Sequence, residues 1–379
     1  MQKVPVCVDG RLDATAATGV ARYSATVRAA LKVAGRLPLT LDDAQRGQFG
    51  GRAGLGNIAL RQARARLDRS LSLRREGSRL HARDVFRLAH ARFFATGRLL
   101  ELEVPGPAGI MHWTYPVPAR IRGWANIYTV HDVIPLTHPG MSAVDSNSLR
   151  RRILAVAEHA DRIITVSAWA RREILEALPL DAGRVTDCGI ALTGLEGALG
   201  VLPKDLVPQQ YYLFCGLSEP RKNVPRLVAA WAASGTERAL VLAGPGFDGI
   251  APRPGLIVLR YQPREVLMAL MREARALLFP SLAEGFGLPV AEAMALGTPV
   301  LTSDRGALVE TAGGAALLVD PNDEAAIAAG IARLDRDDAL CAALAKAGRE
   351  RAQAFDIASF AQRLTALHAE VVGDLWGEV

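Results

Sequence analysis

Residues 276–302 read ALLFPSLAEGFGLPVAEAMALGTPVLT, and no other stretch limits so narrowly what the chain can become. Ala276 to Phe279 is an unbroken apolar run of the kind that forms a strand covered on both faces, and Pro280 and Ser281 close it. Gly285 and Gly287 then free the backbone for a sharp turn and for close approach by a ligand. From Leu288 to Leu296 apolar residues recur at helical spacing, with Pro289 in the first turn, where a missing N–H costs nothing. A strand that passes through glycines into a helix offers unpaired amides and the positive end of a dipole, which suits an anion such as a diphosphate. Glu284 and Glu292 frame the turn. Carboxylates accept hydrogen bonds from hydroxyls at roughly 1.5–3 kcal/mol each, so this pair could hold two sugar rings astride that anion.

The same alternation runs through most of the chain. Strands are expected at Val4–Asp9, Gly109–Trp113, Ala125–Val130, Arg162–Val166 and Arg184–Ile190 in the first half, with helices from about Val20 to Gly35, from Ser148 to Ala160 and after a capping Ser167. In the second half, strands are expected at Tyr211–Leu217, Ala239–Gly244, Leu256–Arg260, Ala276–Phe279, Pro299–Ser303 and Leu317–Asp320, and residues 323–374 read as mostly helical. Repeated strand and helix predict two doubly wound parallel sheets, an α/β fold. Gly194 to Gln210, with its glycines and prolines, reads as the link between them. A chain of 379 residues, half of them hydrophobic, can supply two such cores.

Several polar residues fall where parallel sheets gather their ligands, beyond the carboxyl ends of strands. His131 and Asp132 follow the strand ANIYTV, with His112 a second candidate inside its own strand. Arg221 and Lys222 lie on the loop after Tyr211–Leu217, before a helix expected near Asn223, where they can meet phosphate. Gly244-Pro-Gly246-Phe-Asp-Gly249 formally fits a dinucleotide fingerprint, but Pro252 and Pro254 deny it the helix it requires. Gly54-Leu-Gly56 lacks a preceding strand and is set aside.

Taken together, the stretch from Tyr211 to about Ile331 resembles the retaining glycosyltransferases of family four. That resemblance implies a GT-B fold: two Rossmann-like domains facing across a cleft, with a last helix crossing back to the first. It implies an N-terminal acceptor-binding domain over 1–200, a nucleotide-sugar domain over 201–360 and a returning helix over 361–379. By the same resemblance Glu284 contacts hydroxyls of the donor sugar and Glu292 the ribose. His131, within HDVIPL, reaches the sugar near the reacting carbon, and Lys222 meets the diphosphate. The implied catalytic residues are His131, Glu284 and Lys222. The implied donor site comprises Gly19, Arg221, Lys222, Tyr261, Glu284, Gly285, Phe286, Gly287, Leu288 and Glu292. In TGVARY only Gly19 and Arg22 match the family's glycine-bearing loop. Leu217 stands where a second basic residue is usual, and Asp187-Cys188-Gly189 keeps only the glycine of its corner. The expected activity is transfer of a hexose or deoxyhexose from a nucleoside diphosphate sugar, with GDP favoured and UDP close behind, to a glycan or polyprenyl-linked acceptor in surface polysaccharide synthesis. No cofactor or metal is expected, since lysine, arginine and amides serve the diphosphate, and Asp335-Arg-Asp337 reads as a helix start rather than a metal motif.

Composition narrows the rivals. Between Arg52 and Arg98 twelve arginines face three acids, a local balance of 12 − 3 = +9 in a chain of net +6. Leu67, Leu71, Leu80, Phe86, Leu88, Phe93 and Phe94 punctuate this segment, which predicts one or two amphipathic helices that could rest on the inner leaflet of a membrane. A nucleic-acid-binding protein is the alternative from that charge, but no aromatic interleaving accompanies the arginines, and no nucleic acid is expected. A sugar-nucleotide epimerase would share the fold; a phosphorylase would need a longer chain and a cofactor lysine. The four cysteines form no C-x-x-C pair, and no apolar run is long enough to span a bilayer, so a cytoplasmic protein, at most peripheral on the membrane, is expected.

Overall fold

The computed structural model describes residues 4–11, 19–43, 70–195 and 200–377. Two parallel sheets dominate. In the first, eight strands run in the spatial order Val185–Asp187, Arg162–Thr165, Ala125–Thr129, Ile110–Trp113, Val6–Asp9, Leu39–Asp43, Arg79–Ala82 and Arg74–Glu76. Only the last pair is antiparallel. In the second, six parallel strands run Leu256–Leu259, Ala239–Ala243, Tyr211–Cys215, Ala276–Phe279, Val300–Ser303 and Leu317–Val319. Both are α/β layers of the GT-B kind, and in each the strand order doubles back at its centre, which opens a crevice at the carboxyl edge.

Burial explains why these strands read so clearly. Tyr211–Cys215, Ala276–Phe279 and Val300–Ser303 are buried at every position, because helices cover both faces of a parallel sheet. One core fills the second domain; two others line the two faces of the first sheet. The last of these is shared. Phe355, Phe360, Leu364, Leu367 and Val371, from the end of the chain, pack with Tyr23, Val27 and Leu31 of the helix Gly19–Val33, so the helix Ile357–Trp376 lies on the first domain. Arg162 holds its outer end through Glu370, at 2.8 Å, and Asp374, at 3.1 Å.

The arginine-rich segment departs from expectation. Residues 52–69, with Leu67 and the rejected glycine motif, lie outside the described residues. Residues 70–82 are not helical: Ser70–Ser72, Arg74–Glu76 and Arg79–Ala82 are short strands, and only Val85–Thr96 is a helix. Leu80 fills the core from a strand, Phe86, Leu88 and Phe93 fill it from the helix, and Phe94 is left exposed. Ser70–Ser72 joins Leu100–Glu103 and Ala119–Ile121 in a small third sheet. Ser70-Leu-Ser-Leu73 alternates polar with apolar residues, the period of a strand with one solvated side, and the arginines that follow mask it as a polar helix when the partners are unseen. No helix among the described residues is long and apolar enough to cross a membrane.

Candidate functional site

The glycine-bearing turn between Phe279 and Leu288 lies where the two domains meet. Gly287, with φ of 105°, takes the left-handed conformation directly before the helix Leu288–Leu296, and a Cβ there would meet Leu308 Cδ2 at 2.6 Å. Gly285 serves differently: a Cβ on it would stand 2.4 Å from the His131 carbonyl oxygen of the facing domain. The Ser167 hydroxyl donates to the Gly285 carbonyl at 2.6 Å, a second bond across the same seam. Gly285→Ala is therefore expected to pry the domains apart, lowering stability by roughly 1–3 kcal/mol and activity with it, as a thermal melt and a turnover assay would read.

Along this seam runs a cleft of about 310 Å³, lined by Gly19, Arg22, His131, Asp132, Arg221, Lys222, Glu284 and the Gly285–Pro289 turn, among others. Arg221 and Lys222 arrive on a single 3-10 turn, Pro220–Lys222, which ends at Asn223 in the left-handed region, φ 60°. Asn223 is locked there: its side-chain amide donates to the carbonyls of Pro280 and Pro321 at 3.1 and 2.6 Å. Both cations point at one carboxylate. Lys222 Nζ lies 2.6 Å from Glu284 Oε1, and Arg221 Nη1 lies 2.6 Å from Glu284 Oε2, with Glu219 2.5 Å from the far side of the guanidinium. Lys222 also sits 4.5 Å above the Phe279 ring.

Electrostatics keep this cluster charged. Burial alone would raise the Glu284 carboxyl, but Lys222 and Arg221 outweigh it and hold the group below the ordinary range. Burial wins for Lys222, whose ammonium loses its proton more easily than usual despite Glu284. His131 donates from Nε2 to the Thr114 carbonyl at 2.8 Å and meets Tyr23 edge-on at 4.9 Å; desolvation pushes its imidazole down to about 4, so it is neutral near pH 7. Asp132 is pushed up by burial, against Arg221.

A second hollow, about 150 Å³, continues from the first around Glu292. Glu292 is 2% exposed and ion-paired to Arg22, across the domains, and to Arg264 at 2.8 Å. Tyr261, Gln262, Pro245 and Leu217 form its mouth, and Tyr261 is itself 60% exposed.

Nearly all the expected site residues thus line one continuous cleft. Leu288 faces Gly19 across it, where a Cβ would meet Leu288 Cδ1 at 3.5 Å. Phe286 contributes backbone; its ring packs edge-on against Phe355 at 5.3 Å, and its carbonyl accepts from Thr311 at 2.5 Å. His112 is fully buried within its strand and bonded to Thr129 at 3.1 Å, away from the cleft. Asp187-Cys188-Gly189 is tied to the last helix, where Arg363 donates to the Cys188 carbonyl at 3.0 Å. Asp335 and Asp337 stand apart: Asp335 binds Arg238 at 2.6 Å, and Asp337 caps the helix Asp338–Ala352. Arg264 and Tyr23 went unnoticed in the sequence, since each acquires its role only through a neighbour distant along the chain.

Comparisons with known proteins agree with this fold. Residues 206–351 match the model of the family described as Glycosyl transferases group 1. The chain is 34% identical to O-antigen chain mannosyltransferase B of Escherichia coli, over 56% of this chain and 61% of that one. It is 28% identical to the serotype-specific mannosyltransferase WbdA of Escherichia coli, over 56% of this chain but 29% of that one, so the chain spans under two thirds of either relative. A D-inositol 3-phosphate glycosyltransferase of Mycolicibacterium smegmatis is 28% identical over 71% of this chain and 69% of its own. Among solved structures, sucrose-phosphate synthase from Thermosynechococcus elongatus superposes with a TM-score of 0.70 at 20% identity, covering 98% of this chain and all of that one. A second, Anabaena HepE in complex with UDP and glucose, superposes with a TM-score of 0.59 at 15% identity, over 88% of this chain and 99% of that one.

Proposed function

From a group 1 glycosyltransferase match at residues 206–351 on a GT-B fold, we propose that the chain moves a sugar from a nucleoside diphosphate to an acceptor hydroxyl in the cleft between its domains. The observation that carries this is the pair of adjacent cations, Arg221 and Lys222, held by Glu284 beside the amide-rich start of the helix Leu288–Leu296.

The barrier to such a transfer is heterolysis of the bond between the anomeric carbon and a phosphate oxygen. A positive sugar ring and a negative diphosphate develop together. Lys222, Arg221 and the helix start would take up the leaving charge, an interaction worth more in a cleft that excludes water than in solution. Glu284 meets Arg221 with one oxygen and Lys222 with the other; a diphosphate that shared those cations would leave the carboxylate lone pairs for sugar hydroxyls. Glu292, with Arg22 and Arg264, would hold the ribose, and Tyr261 and Gln262 would border the base. His131, neutral and fixed by Thr114, would face the sugar near its reacting carbon. Retention of configuration is part of the proposal through the resemblance to family four. With the diphosphate met in this way the reaction calls on no metal ion.

We further propose a GDP-linked hexose or deoxyhexose as donor, because HDVIPL and EPRKN are most like segments of transferases that build bacterial surface polysaccharide, and a glycan or polyprenyl-linked acceptor on the cytoplasmic face of the membrane. Thermal-shift measurements with GDP, UDP, ADP and dTDP test the donor. A nucleotide at a hundred times its Kd stabilises the fold by about 2.7 kcal/mol, which the melt reads as a rise of several degrees. GDP is expected to raise the midpoint most; a chain indifferent to all four would end the proposal.

A further inference from the structure

The donor cleft leaves part of the charge at the ligand edge of the first sheet unused. Arg11 lies two residues past the strand Val6–Asp9, and Tyr115 two past Ile110–Trp113; the two strands are parallel neighbours, so both residues stand at the same carboxyl edge. His90, from the helix Val85–Thr96, closes on them from one flank, and the helix Ser146–Ala157 carries Arg152. Arg11 Nη1 lies 2.7 Å from His90 Nε2, and the Tyr115 hydroxyl lies 2.9 Å from the same nitrogen. The Arg11 guanidinium stacks 4.9 Å from the Tyr115 ring centroid.

This arrangement has a surplus of donors. A neutral imidazole nitrogen offers one lone pair, and here the guanidinium and the phenol both reach for it. If that nitrogen carries the proton instead, it can serve Tyr115 but faces Arg11 donor to donor. Arg152 adds a second cation, close enough to oppose the charge on both Arg11 and His90, and its buried Nε has no hydrogen-bond partner among the described residues. Asp9 is the one acid that favours the charge on Arg11, and neither arginine is ion-paired to a carboxylate among the described residues. Burial, with the two arginines, pushes the His90 imidazole down to about 4. A cluster with this balance lacks an anion.

Thr114 places the cluster beside the reacting centre. Its carbonyl accepts from His131 at 2.8 Å, its N–H donates to Asp9 at 2.5 Å, and Tyr115 is the next residue. Building on the glycosyl-transfer reading, we propose that Arg11, His90, Tyr115 and Arg152 form a subsite for a phosphate ester of the acceptor, next to the donor sugar. Phosphate oxygens give Arg11, Arg152 and Tyr115 the acceptors they lack and let His90 turn an Nε2–H toward the same group. The phosphate could belong to a soluble sugar phosphate or to the diphosphate of a lipid-linked acceptor, since both present the same oxygens.

Calorimetry on the full chain, saturated first with whichever nucleotide stabilises it so that the donor phosphates' place is filled, separates the outcomes. Mannose 6-phosphate, mannose and farnesyl diphosphate are the titrants. One of the two phosphates is expected to bind, at least about tenfold more tightly than mannose, and which one does so names the source. Arg152→Gln and Arg11→Gln should each weaken that binding roughly tenfold or more with nucleotide affinity unchanged, while Arg152→Lys should restore part of it. Nucleotide binding without phosphate binding, or phosphate binding indifferent to both glutamine variants, overturns the subsite alone. A chain that binds no nucleotide overturns the transfer reading and the subsite with it.

Discussion

Lys222→Ala is expected to lower kcat/KM for the proposed transfer about a hundred- to a thousandfold, the loss seen when one preorganised group that meets developing charge is removed. Lys222 is well suited to that role because its ammonium is nearly dry, lies over the Phe279 ring and is aimed by Glu284, so little reorganisation is left to do when the diphosphate departs. Glu284→Ala should cost a comparable factor and also stability. With the carboxylate gone, Lys222 and Arg221 stand side by side in a buried setting with Glu219 as the remaining acid within ion-pair distance of either, and stranding a buried charge typically costs about 3–5 kcal/mol. Glu284→Gln retains the shape and separates the two effects: turnover should still collapse while the melting temperature falls less. Steady-state kinetics beside a thermal melt read both quantities. Turnover near normal in Lys222→Ala would remove the assigned role.

A second large effect should appear in acid. His112 and His368 are almost wholly buried, their rings 6.0 Å apart between the first sheet and the last helix, and both ring nitrogens of His368 lack partners among the described residues. Desolvation pushes His112 down to about 3, with His131 and Arg28 adding to it, and pushes His368 well below its ordinary value, with His112 and Arg36 adding to it. In the unfolded chain both imidazoles take up protons near pH 6.5. Below that pH the unfolded state holds more protons than the native one, so stability present at neutral pH is lost as the pH falls toward 4. Two such groups give a slope of up to about 2.7 kcal/mol per pH unit. Denaturant melts between pH 7 and pH 4.5 should show the midpoint falling steeply, and His368→Gln or His112→Gln should flatten the curve. A midpoint independent of pH over that range would contradict the burial of these rings.

How much of this was legible in the sequence depends on where each residue's partners lie. The segment from Ala276 to Thr302 declared its strand, turn and helix because every signal was local: a buried run, two glycines, a proline and helical spacing. Glu284, Lys222 and His131 were legible for the same reason, since each sits on the loop that follows a recognisable strand, two residues past Thr129 for His131, five past Phe279 for Glu284 and seven past Cys215 for Lys222. The strand Leu39–Asp43 was not foreseen, because LTLDD offers two buried leucines and its order comes from pairing with Val6–Asp9 and Arg79–Ala82. The strands between residues 70 and 82 were hidden similarly; Arg74–Glu76 is exposed throughout and is held only by its neighbour. Arg264 could not be assigned to Glu292 by spacing, and the corner of Arg11, His90, Tyr115 and Arg152 gathers four separate elements.

The chain passes between its domains twice, once after Leu192 and again at Phe355, and the Leu192 N–H donates to the Phe355 carbonyl at 2.9 Å. The two passages therefore lie side by side, like paired straps over one axle. Sliding or twisting of one domain on the other would shear that bond, whereas rocking about the line through it leaves the bond intact. Phe286, whose ring packs on Phe355 at 5.3 Å, stays close to that line, while the parts of the cleft far from it move most, so a small change of angle at Phe355 is magnified into the width of the gap through which a substrate must pass.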